Sequence, residues 1–231
     1  MPPPVRYKGF EATFPPKDSR RKGATPQRLR GDIPTKGQSE ERGNPPLRVI
    51  AGVARRTALV APVGLSTRPT SDRAKENLFN ILGEKVKGAR VLDVFCGSGA
   101  IGIEALSRGA SEAVFVDHAA PAIRATETNL TKTRLASLAY IIQGDAQKSL
   151  EQLAAAPKFN LIFLDPPYNY DLQILAKCFP LLANDGIIVA EAASDYAAPF
   201  AELVTSERIY GRTKFIFYKE RDNALNLSRQ L

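Results

Sequence analysis

The chain is poor in the residues that build many active sites. Its 231 residues include one histidine, His118, and two cysteines, Cys96 and Cys178. Two distant thiols and one imidazole cannot furnish the usual structural zinc site, and no metal is expected. A Ser-His-Asp site would have to run through His118 alone. The cysteine count also argues against a disulfide scaffold and for a reducing, cytoplasmic setting. No apolar run reaches the roughly 18 residues of a membrane-spanning helix, so no membrane partner is expected. The opening MPPPVRYKGF lacks the apolar stretch of a secretory signal.

What is present fits a soluble enzyme or binding domain. Hydrophobic residues make up 44%, enough for a sizeable core. The net charge is +8, from 32 basic and 24 acidic residues. Such a surplus points to a polyanionic partner and says nothing about fold. It is unevenly spread. Residues 1–46 hold 9 of the 17 prolines and 10 basic against 5 acidic side chains. Apolar residues are scattered there without a period, so this segment reads as a disordered basic arm. Its alternatives are a solvated tail without a role and a flexible attraction to nucleic-acid phosphate. Glu11, Asp18, Asp32, Glu40 and Glu41 argue against a transit peptide.

From Leu47 onward a single domain, 47–231, is expected. Leu47–Val60 reads as two short strands around Ala51-Gly52. Pro69 then sets an extended turn, and Ser71 or Asp72 caps a helix reaching Leu82. Ala74, Leu78, Phe79 and Leu82 share one face of it. After Gly88, apolar runs at 90–95, 113–117, 140–144, 159–164 and 186–191 alternate with helical stretches near 99–108, 119–133, 146–155 and 172–182. That alternation predicts an α/β fold with a mostly parallel sheet and helices on both faces. Runs 207–210 and 213–218 are separated only by Gly211-Arg212, which predicts an antiparallel hairpin.

In such a sheet, ligands bind beyond the carboxyl ends of the strands. Four successive strands end near an aspartate: Asp93, Asp117, Asp145 and Asp165. Gly97, Gly99 and Gly102 form G-x-G-x-x-G, with Asp117 twenty residues after Gly97. Nicotinamide dinucleotides and S-adenosylmethionine both suit this set. A pyrophosphate beside Asp93 would be repelled, whereas a cationic amino-acid moiety would be attracted. Asp165-Pro166-Pro167-Tyr168 adds a stiff loop. Its prolines lack N–H groups, so it presents acceptors, and Tyr168 offers a ring on which a base stacks. This loop suits a planar group bearing an exocyclic NH₂.

Together these residues resemble class I S-adenosylmethionine-dependent methyltransferases acting on exocyclic amines, with their [DNS]-P-P-[YFW] motif. From Leu47 to about Lys219 the chain resembles more narrowly the 16S ribosomal RNA guanine-N2 methyltransferase family of RsmD type. The matching pieces are LRVIAG (47–52), TRPTSDRAKENLFNIL (67–82), VLDVFCGSGAIGIEALSRGA (91–110), VFVD (114–117), GDA (144–146) and FLDPPY (163–168). The arm is a departure from that family. The resemblance implies a Rossmann-like seven-stranded sheet and S-adenosylmethionine as cofactor. It implies that Asp93, Phe95, Gly97 and Gly99 line the methionine part and that Asp117, with His118 at the edge, holds the ribose. Asp145 and the Ala146 N–H would meet adenine. Asp165, Pro166 and Tyr168 would hold the target guanine. Asp165, with a reference pKa near 4, is expected to orient the amine and not to act as a strong base. Arg48, Arg55, Arg56, Arg68 and Arg73 are candidate phosphate contacts in the RNA-facing 47–83 segment. The expected partner is ribosomal RNA or an assembling small subunit, bound by a monomer.

Rival readings stay open on the sequence. A DNA adenine-N6 methyltransferase uses the same grip but needs a recognition domain. A glutamine methyltransferase usually carries Asn in place of Asp165. An NAD-dependent oxidoreductase leaves Asp165–Tyr168 without a purpose. A non-catalytic ribosome-assembly protein would not need the aspartates.

Overall fold

The computed structural model describes residues 47–63, 72–167 and 170–219. The arm, Arg68 with the 64–71 stretch, and Tyr168 lie outside the described residues. Seven strands form one sheet: β1 (Arg90–Val94), β2 (Glu112–Asp117), β3 (Ala139–Gln143), β4 (Phe159–Leu164), β5 (Leu182–Ala193), β6 (Val204–Tyr210) and β7 (Thr213–Tyr218). Their order is β3-β2-β1-β4-β5-β7-β6. The first five are parallel; β7 lies antiparallel between β5 and β6. The predicted mostly parallel sheet and terminal hairpin are both present.

The helices are α1 (Asp72–Leu82), α2 (Ala100–Ser107), α3 (Ala120–Thr133), α4 (Ala146–Gln152) and α5 (Leu175–Cys178). Alternate strand residues feed opposite layers, as the pleat demands. Val91, Leu161 and Phe163 join the core that includes Leu78, Ile103 and Leu130 of α1–α3. Leu92, Ile162 and Leu164 join the core that includes Leu150 of α4 and Leu175 of α5. Central strands buried on both faces explain why the sequence shows continuous apolar runs there.

Three expectations need correction. The 172–182 stretch is not one helix. It is a 3₁₀ turn at Leu172–Ile174, the single-turn α5, and another 3₁₀ turn at Phe179–Leu181. Pro180 has no N–H to continue the ladder. Strand β5 begins at Leu182, not 186, because Asn184-Asp185-Gly186 forms a kink within the strand. Asp185 takes φ 61, and the pairing jumps from Phe159–Leu182 to Leu161–Ile187. The 47–60 hairpin holds only one bridge, Arg48–Ala58. The amides that a longer ladder would use go instead to α2: Ile50 and Ala51 donate to Glu104, and Val53 donates to the Ser107 carbonyl.

The predicted helix α1 buries Ala74, Leu78, Phe79 and Leu82, together with Lys75. Chain winding reverses between β1 and β4, which places a crevice at their carboxyl ends.

Candidate active site

The turn leaving β1 is built around Gly97, whose φ is 56 and where an added Cβ would meet nothing within 4 Å. The backbone there faces open space and lets a ligand approach. Gly102 serves a different need. A Cβ on it would come within 2.3 Å of the Phe115 ring, so it lets α2 lie close against β2. Gly99 caps the start of α2. The loop is held from below. The Gly97 N–H donates to Asp117 Oδ2 at 2.9 Å, and Thr126 Oγ1 donates to the Gly97 carbonyl at 3.1 Å.

Between Asp93 and the glycines sits Phe95, with φ 64. A bulky residue in that region costs about 1–3 kcal/mol. Its ring meets the Tyr170 ring edge-on, 4.8 Å between centroids. The Tyr170 N–H donates to the Pro167 carbonyl at 2.8 Å, which folds the proline loop back toward the glycine loop. The two loops that the sequence singled out therefore meet.

The acids at the strand tips form one rim. Asp93 is 3% exposed, and its Oδ2 accepts the Gly102 N–H at 2.9 Å. Burial, and then the Asp117 charge, push its carboxyl up from an ordinary 3.8 to about 7, against the Gly102 hydrogen bond. Asp165 is exposed at the end of β4, yet neighbouring protein atoms desolvate its carboxyl. That desolvation, followed by Glu191 and Asp93, pushes it well above the usual carboxylate range. Among the described residues, every charge that shifts either group is another carboxylate. Burying like charges without a cation is costly, so the rim is prepared for a positive ligand.

Asp117 accepts from Gly97 and Ala119, both at 2.9 Å. A carboxylate has about four acceptor sites, so capacity remains for two ribose hydroxyls. His118 is solvent-facing, 3.7 Å from Asp117. Asp145 caps α4, its Oδ1 accepting from the Lys148 N–H at 3.1 Å, and buried Ala146 follows. The backbone opening at Gly97, the hydroxyl acceptor and the anionic rim fit the cationic adenosyl compound that the resemblance implies. Among the described residues, no three His, Cys, Asp or Glu side chains are grouped to hold a metal.

The arginines are spread more widely. Arg55 and Arg56 are exposed in the hairpin turn beside Val53, itself 85% exposed. Arg73 is exposed on α1, and Arg48 pairs with Asp72 at 2.8 Å. Sequence reasoning missed Glu191, although an acid ending the apolar run GIIVAE was a visible signal. It also missed Thr126 and Asn129 on α3 and the buried Lys75–Glu104 pair, at 3.9 Å. A lone glutamate in AIGIEALS was the available clue there.

Fold and rim together define a Rossmann-like methyltransferase. The family described as Conserved hypothetical protein 95 matches residues 47–219. The chain is 40% identical over 183 residues to YlbH of Bacillus subtilis (strain 168), covering 76% of this chain and all of that protein. It is 35% identical over 150 residues to Ribosomal RNA small subunit methyltransferase D of Escherichia coli (strain K12), covering 65% and 73%. The solved structure of a hypothetical protein from Thermus thermophilus, TTHA0928, superposes with a TM-score of 0.66 at 31% identity, over 75% of this chain and 99% of that one. The chain belongs to this RsmD family of methyltransferases.

Proposed function

We propose that the chain transfers a methyl group from S-adenosylmethionine to the exocyclic N2 amine of a guanine in 16S ribosomal RNA. The observation that carries this reading is the rim of Asp93, Asp117, Asp165 and Glu191 at the strand tips, where burial and then neighbouring carboxylates raise Asp93 and Asp165 beside the start of the proline loop. When bound, the cofactor supplies an electrophilic methyl on a sulfonium. Asp93 would face its amino-acid end, with Phe95 and Gly97 beside it and Gly99 behind. Asp117 would take the ribose hydroxyls, with His118 at the edge. The second oxygen of Asp145 and the Ala146 N–H would take the adenine.

The harder task is the guanine amine, whose lone pair is delocalised into the ring. The Asp165 carboxylate and the Pro166 carbonyl accept its two hydrogens and turn the lone pair out of the ring plane. The same acceptors stabilise the positive charge that grows on nitrogen. Alignment brings the reacting atoms to about 3–3.5 Å. Cationic ligand charge beside the rim favours the ionised form of Asp165. Its raised affinity for protons then suits it to take the amine proton that is released after methylation. A guanine in folded RNA must leave its stack to reach this corner, and Tyr168 supplies a replacement surface. Arg48, Arg55, Arg56, Arg68 and Arg73 contact phosphates around it.

The test is mass-spectrometric mapping of ribosomal RNA from cells lacking the protein. One N2-methylguanosine disappears from 16S RNA and returns when the purified chain is added with tritiated methyl donor. An unchanged modification map overturns the proposal.

A further inference from the structure

We infer that Asn129 is a positioning residue that links methyl-donor binding at the glycine loop to nucleic-acid binding at the 47–60 hairpin, so that each ligand tightens the other. The inference rests on the function proposed above for those two surfaces.

Asn129 lies on α3 and is fully buried. Its Nδ2 donates to the Ser98 carbonyl inside the glycine loop and to the Val60 carbonyl, both at 2.9 Å. Its Oδ1 accepts the Val60 N–H at 2.8 Å. One side chain thus grips the cofactor loop and the trailing flank of the hairpin. The task needs two donors and an acceptor on one short group, which an amide provides and a carboxylate does not. One turn earlier, Thr126 bonds to the loop alone among the described residues. The hairpin is rigid enough to carry the link. Val49 donates to Thr57 and Leu59 to Leu47, and the exposed Arg55 and Arg56 lie in the turn between.

The Asn129 amide is itself buried, and leaving its polar atoms unpaired is costly, so the two ends move together. A ligand that fixes one end leaves less to order when the second arrives. Linkage makes the two effects equal.

Equilibrium dialysis of tritiated S-adenosylhomocysteine against the full chain tests this, with and without small ribosomal subunits from cells lacking the enzyme. Wild type should bind the probe about fivefold or more tightly in their presence, and the probe should tighten subunit binding by the same factor. Asn129→Asp should bring both factors to one. Thr126→Val should weaken the probe equally in both conditions and keep the factor. A wild-type factor of one, or an undiminished factor in Asn129→Asp, overturns the inference. Should Asn129→Asp fail to fold, hydrogen exchange decides on wild type: the probe must slow exchange of the Val60 amide, and an unchanged rate overturns the link. A wild-type chain that retains no probe at all overturns the donor-site reading itself, and the link with it.

Discussion

Two clusters of charged side chains lie on neighbouring parts of this molecule, and they are finished to different degrees. Around Glu104 the cluster is closed. Its carboxylate accepts from Ile50, Ala51 and Arg108 and faces Lys75, whose ammonium also donates to the Arg48 carbonyl at 2.5 Å. Ser107 adds bonds to Ala51 and Ala54. Around Asp93 and Asp165 the cluster is open: burial raises both carboxyls, and the charges acting on them from the described residues are carboxylates. A closed set holds the hairpin and α1 to the sheet domain. An open set of acids suits a positively charged ligand.

The largest effect that would break this contrast is at Asp165. Asp165→Ala is expected to lower turnover by about 10³-fold or more, while calorimetry finds S-adenosylhomocysteine affinity near wild type. Equal losses of both would remove the division of labour along the rim.

Next comes the closed cluster. Glu104→Ala leaves buried Lys75 without its counter-ion and two half-buried amides without their acceptor, a loss expected to cost about 3–5 kcal/mol in urea unfolding. A cost within that of an exposed ion pair would mean the latch is not structural.

Asp93 sharpens the contrast with pH. Its folded carboxyl titrates near 7 against an ordinary 3.8, so the folded state holds the proton more tightly. Its contribution to stability is therefore full below about pH 4 and is lost as pH rises through 7. Asp93→Asn keeps an acceptor for Gly102 and removes the charge. Without ligand, its stability relative to wild type should climb between pH 4 and 7, reaching at most about 4 kcal/mol. A pH-independent difference in unfolding midpoint contradicts this. Activity needs the ionised Asp165 and should rise with pH, because its carboxyl is shifted upward.

The smallest effects belong to the hairpin. Arg55→Ala and Arg56→Ala should each reduce the salt slope of RNA binding by about one and leave donor affinity unchanged. An unaltered slope would place the RNA elsewhere.

Most of the sheet was legible because each central strand is buried on both faces and prints an unbroken apolar run. Turn chemistry misled at Asn184-Asp185-Gly186, which kinks β5 without ending it. The hairpin was harder still, since its amides pair with side chains of α2 and not with a neighbouring strand. The aspartates were legible from their place after each strand. Glu191 was missed although it ends the run GIIVAE, because an acid there reads equally as an ordinary polar strand position. The Lys75–Glu104 contact joins residues whose proximity only the packed helices create.

The insertion of β7 between β5 and β6 has a consequence for when the enzyme becomes competent. Glu191 is framed on one side by Phe215 of β7, so that wall of the pocket waits for β7 to join the sheet. A nascent polypeptide that stops before this point has the glycine loop but lacks a finished pocket. A finished pocket therefore requires β7 to have been made and paired with β5.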